Sequence, residues 1–215
     1  SFYSYKSEDS YGKFQMADVN AGTEVHTHTW IMKDIPAFRN EDFMSEPYNY
    51  LDRIEFTLAQ FYDGRDIHNY STDWKSTEDK LLVNKYFGAA ILNDNTGNLN
   101  NTVQKICSMD GDILDAAKQI YSYVRDNFTC KPNDDIYVQH DLYDVNKSQK
   151  GSVAELNMLL IALLRQRGVK ADPVILTTRS YGVSPVTYPV IEKLNYVICM
   201  MTFGKERIFL DASDP

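Results

Sequence analysis

The spacing of apolar residues changes near Asp63-Gly64. Ahead of that point it has the period of two that marks half-buried strands. Thr23–Met32 alternates with Val25 and His26 on opposite faces, and Leu51–Phe61 alternates through Ile54, Phe56 and Leu58. Beyond it the recurrence is helical. Lys75–Phe87 predicts a helix stopped at Gly88, and Leu99–Cys107 predicts a short one. Asp112–Phe128 carries Ile113, Ala116, Ala117, Ile120, Tyr121, Val124 and Phe128 at the i, i+3, i+4, i+7 spacing of an amphipathic helix. Asn133–Gln149 reads as a polar connection.

The segment Lys150–Arg167 is the most strongly patterned of the chain. Ser152 and Glu155 form a capping box, which predicts a helix start at Val153. Val153, Leu156, Leu160, Leu163 and Leu164 make one apolar stripe, while Met158, Leu159, Ile161 and Ala162 fill the remaining faces. A helix apolar nearly all round is buried. Arg165 and Arg167 ahead of Gly168 mark its end. Three β-rich runs follow, Lys170–Thr178, Leu194–Met201 and Arg207–Leu210, the last two joined by a Gly204-Lys205 turn. Helices lead and strands follow, so the expected class is α+β, with residues 1–63 the end of a β-rich domain and 64–215 a mixed core.

Composition narrows the function classes. A chain of 215 residues, 43% hydrophobic with 15 Tyr and 10 Phe, is large enough for a real core. A net charge of −8 with scattered basic residues argues against a nucleic-acid groove. No apolar run approaches the ~20 residues of a membrane span. The opening Ser-Phe-Tyr-Ser-Tyr-Lys is neither a signal peptide nor a Met start, as expected of a piece of a longer protein. Cys107, Cys130 and Cys199 have no Cys-x-x-Cys spacing, and their odd number excludes a fully paired framework. His26 and His28 share one face of their strand, but no third ligand stands nearby in sequence, so no metal site is assigned. No cofactor is implied.

The chemistry turns on three short stretches: Gly151-Ser-Val153-Ala-Glu155, Asn195-Tyr196-Val197 and Leu210-Asp211-Ala212. Set on a helix start and two successive strands, they resemble the transglutaminase-like superfamily, a branch of the papain-like cysteine enzymes, in its Bacteroidetes-type form. That family's nucleophile motif runs Gly, any residue, Cys, any residue, Asp or Glu. The resemblance implies that Val153 stands where the catalytic Cys belongs, that Tyr196 has replaced the His, and that Asp211 is retained. It also implies a papain-like fold preceded by the end of a β-sandwich-like domain, and a periplasmic or extracellular place.

A valine cannot attack a carbonyl, and a phenol with a pKa near 10 is a poorer general base at neutral pH than an imidazole near 6.5. Ser152 is a helix cap rather than a substitute nucleophile, because side chains one residue apart on a helix differ by about 100° in direction. The expectation is a pseudoenzyme that binds or builds. Its remnant cleft would take a peptide, protein or glycan partner, a binding role favoured if the cleft is open and aromatic-lined. The alternative is a working cysteine peptidase or transglutaminase-like hydrolase using another thiol, with Cys130 and His140 the pair close in sequence. Cys130 follows a predicted helix end instead of opening a helix, so it lacks activation by a helix dipole. Oligomeric state is not legible.

Overall fold

The computed structural model describes the backbone of residues 2–16, 19–33, 35–39, 41–42, 44, 46–52, 58, 60–69, 73–92, 99–185 and 187–213; side chains are described within this set from Thr29 on, apart from Tyr48 and Asn69. The chain divides into two units, Ser1–Phe56 and Thr57–Pro215.

In the first unit, β1 (Phe2–Met16) and β2 (Val19–Lys33) form an antiparallel ribbon. Its register sets Tyr5 opposite Trp30, Ser7 opposite His28 and Asp9 opposite His26. The alternation over Thr23–Met32 falls inside β2. Pro47–Tyr50 makes one 3-10 turn. Most of the expected Leu51–Phe61 strand lies outside the described residues.

The second unit opens with a hairpin, β3 (Gln60–Tyr62) and β4 (Ile67–Asn69). Asp63-Gly64, where the sequence changes period, is its turn. Asp63 Oδ1 accepts from the Arg65 and Asp66 N–H groups at 2.9 Å, and Gly64 takes φ 95°. Helix α1 (Trp74–Val83) starts on an Asp73 cap that accepts from Ser76 N at 2.8 Å. It ends sooner than its pattern suggests. Gly88 does not stop it but begins a separate turn, α2 (Gly88–Ile91). A Cβ at Gly88 would collide with the Leu82 backbone, so glycine is needed there for close packing rather than as a stop. Then come α3 (Leu99–Ile106) and α4 (Ile113–Asn127), the latter capped by Asp112.

Asn133–Gln149 is not simply a polar connection. It buries Ile136 and Val138 and contains α5 (Leu142–Ser148), which buries Leu142 and Val145. Seven residues with two inward anchors are too few to show a helical period. Asp141 caps α5 and Gln149 ends it in the left-handed region, φ 52°. Two short strands, β5 (Thr129–Cys130) and β6 (Lys150–Gly151), pair in parallel just ahead of α6 (Val153–Gln166).

The patterned helix is the centre of this α+β unit. Helices α3, α4 and α5 pack on α6, as do β7 (Lys170–Leu176) and β8 (Tyr196–Phe203), which explains apolar residues on every face. With β9 (Glu206–Leu210), they form an antiparallel sheet in the order β7-β8-β9. Val197, Cys199 and Met201 alternate inward along β8, and the β8–β9 turn uses Gly204 at φ 60°.

Candidate functional site

The start of α6 is built by its caps. Ser152 Oγ accepts from Glu155 N at 3.2 Å while Glu155 Oε2 accepts from Ser152 N at 2.8 Å, completing the box. Glu155 does more than cap. Its Oε1 accepts from Gln139 N at 3.1 Å and His140 N at 2.9 Å, and lies 2.8 Å from His140 Nδ1. The Glu155 side chain is 4% exposed and that of His140 69% exposed, so a buried carboxylate fixes an imidazole that faces outward. Burial pushes the Glu155 carboxyl up, but the donors from Ser152, His140 and Gln139 outweigh it and leave it below the ordinary carboxylate range. Val153, the first residue of the helix, is buried.

One turn along the same face sits Asn157, fully buried. Its Nδ2 donates to Val197 O at 3.0 Å and to Asp211 Oδ1 at 2.9 Å, and its Oδ1 accepts from Ala212 N at 2.9 Å. Asp211, just past β9, is thereby tied to α6. Its Oδ2 accepts from the Tyr196 hydroxyl at 2.8 Å, and its Oδ1 also accepts from Ser213 Oγ at 2.6 Å and Ser213 N at 2.9 Å. The Tyr121 hydroxyl of α4 donates to the Asp211 carbonyl at 3.0 Å. Burial raises the Asp211 carboxyl, yet Asn157, Ser213 and Tyr196 together hold it below the usual range.

Thus Tyr196 and Asp211 meet directly, and Asn157, one turn after Val153 on α6, bonds to Asp211. Asn157, Ser213 and Tyr121 are absent from the sequence motif. Asn157 could have been found, because an amide inside the apolar run Leu156–Leu164 must be satisfied by something across the fold.

Two of the three thiols lie elsewhere, and Cys130 pairs with Gly151 just ahead of α6. Cys107 is buried and donates to Val103 O; Cys199 is buried, and desolvation pushes its thiol up to about 12. Cys130 ends β5, half-buried and packed on the core, while His140 is held on Glu155. No group of three His, Cys, Asp or Glu able to hold a metal ion occurs among the described residues.

A cleft of about 530 Å³ opens beside the start of α6, lined by residues of β6, α5 and the loop ahead of it. Most of its lining residues are polar in type, and among the described residues around it the one aromatic ring is the imidazole of His140, with no Tyr, Trp or Phe taking part. No helix of the described residues is long and apolar enough to cross a membrane.

Residues 100–196 match the family model described as the transglutaminase-like superfamily. The match runs from α3 to the first residue of β8 and stops short of Asp211. Among solved structures, the chain is similar to a crystal structure of a putative protease from Parabacteroides distasonis ATCC 8503. That likeness has 16% identity and a TM-score of 0.56, covering 98% of this chain and 38% of that one. At this identity it is a likeness of fold, and the chain spans about two fifths of that protein's length. A comparison with curated proteins finds no match.

Proposed function

We propose that the chain is a catalytically silent transglutaminase-like domain that serves as a binding or structural module at the cell envelope, a reading the Bacteroidetes-type resemblance supports. The observation that carries this reading is the cluster around Asp211. In a working enzyme of the family a carboxylate there would orient a histidine. In this chain Tyr196, Ser213 and Asn157 hold it, and the α6 start presents a buried Val153. Four oxygen and nitrogen donors around one carboxylate build a static polar knot, with no group suited to accept a proton from a nucleophile near neutral pH.

The thiol-enzyme alternative has less support. Two cysteines are buried, and the third packs on the core at the end of a strand instead of opening a helix. The discriminating experiment measures amide hydrolysis and transamidation by the purified chain beside a variant with Cys107, Cys130 and Cys199 all changed to Ser. The expected result is no cysteine-dependent turnover in either; robust turnover lost in the triple variant would favour the thiol enzyme.

A further inference from the structure

The cleft beside α6 is furnished for a particular ligand chemistry. Lys131 follows β5 directly, its N–H donating to Gly151 O at 2.8 Å, and Lys150 opens β6. Because Thr129 pairs with Lys150 in register, Lys131 lies on the same face of the two-stranded ribbon as Lys150, two residues along. Both line the cleft, both are exposed, and neither ammonium group makes an ion pair or hydrogen bond among the described residues. Asn133 lines it too, with a buried Oδ1 that has no hydrogen-bond partner. A buried acceptor left open costs stability unless something donates to it.

His140 adds an acceptor. In the tautomer whose Nδ1–H donates to Glu155 Oε1, the exposed imidazole leaves Nε2 as an acceptor. The opposing charges are Asp144 of α5, which also lines the cleft, and Glu155, whose oxygens are taken up by four donors. At the α6 start the Glu155 N–H is committed to the Ser152 cap.

We propose that this cleft captures the C-terminus of a peptide, with Lys131 and Lys150 taking the terminal carboxylate and His140 Nε2 accepting from the last amide N–H group. A peptide C-terminus sets a carboxylate beside amide donors on an extended backbone. A lining without Tyr, Trp or Phe argues against sugar stacking as the main interaction. This deepens the binding-module reading and rests on it, but the two can fail separately, since that reading is decided by turnover and this one by binding.

Calorimetric titration of the whole chain with N-acetyl-trialanine and with its C-terminal amide tests the proposal. The acid is expected to bind saturably and the amide to bind at least about tenfold more weakly, the order expected when a charge-assisted hydrogen bond is removed. Lys131→Met with Lys150→Met, both surface changes with no predicted effect on melting, should weaken the acid by about tenfold. Asp144→Asn removes an opposing charge and should tighten it. Equal binding of acid and amide, no saturable binding of either, or acetate alone competing as strongly as the peptide would each overturn the proposal. So would weaker binding by Asp144→Asn, which would point to a ligand ammonium instead.

Discussion

Asp211 is where one residue's surroundings decide most. Its Oδ2 is met by the Tyr196 hydroxyl, a half-buried donor that also reaches Ser213 Oγ at 3.0 Å. Tyr196→Phe keeps the ring and removes the donor. It should destabilise the chain by about 1–2 kcal/mol in urea unfolding, since part of the carboxylate remains satisfied by Ser213 and Asn157. A neutral result would mean that water replaces the hydroxyl at no cost. Asn157→Ala should cost more, about 2–4 kcal/mol, because it strips a buried amide that links α6 to Val197, Asp211 and Ala212. The acidic pair gives a signed pH prediction. Asp211 and Glu155 both sit below their unfolded carboxyl values, so their contribution is present above about pH 4 and is lost as pH falls through the lowered native values. Urea midpoints at pH 7 and pH 3 should fall apart more for the parent chain than for Asp211→Asn, which is less stable at neutral pH to begin with. Of this site, Asp211 and Tyr196 were legible from motif spacing. Ser213 and Tyr121 were not, because a serine two residues past a strand and a tyrosine on a distant helix acquire their partners only when the chain folds.

At the scale of elements, α6 shows why some local structure can be read and some cannot. Ser152 and Glu155 announce a helix start through groups three residues apart, and that start is where the helix begins. The bonds from Gln139 and His140 to the same carboxylate span 15 and 16 residues and leave no local trace. Likewise α5 is too short for its period to register, and Gly88 reads as a stop until the Leu82 backbone is seen against it. The cap offers an element-level test. Val153→Cys alone places a thiol on a buried helix start, so desolvation should oppose ionisation and alkylation should be slow at pH 7. Adding Tyr196→His restores an imidazole beside Asp211, and the alkylation-rate profile against pH should shift to lower pH than in the single variant. Identical profiles would show that position 196 no longer communicates with the helix start.

Across the whole molecule, the described core is confined to one unit. Its residues run from Leu81 to Ala212 and centre on α6, which is enclosed by helices on some faces and by β7 and β8 on others. The sequence conveyed this because a helix apolar all round has to be surrounded. The first unit offers no such core among the residues whose side chains are described: Trp30, Ile31, Ile35, Phe38, Tyr50 and Leu51 are all exposed. Its main element is a two-stranded ribbon, an arrangement that is marginal in water without a third strand or a packing partner. The two units should therefore differ when separated. A Thr57–Pro215 fragment should unfold in one cooperative transition, with a denaturant slope set by its buried core, whereas a Ser1–Phe56 fragment should show no sigmoidal transition as a monomer. Circular dichroism against urea, with sedimentation to report association, measures both. A cooperative monomeric Ser1–Phe56 would show that its ribbon carries a core of its own, and a Thr57–Pro215 fragment without a transition would show that α6 and its neighbours depend on the first unit to hold together.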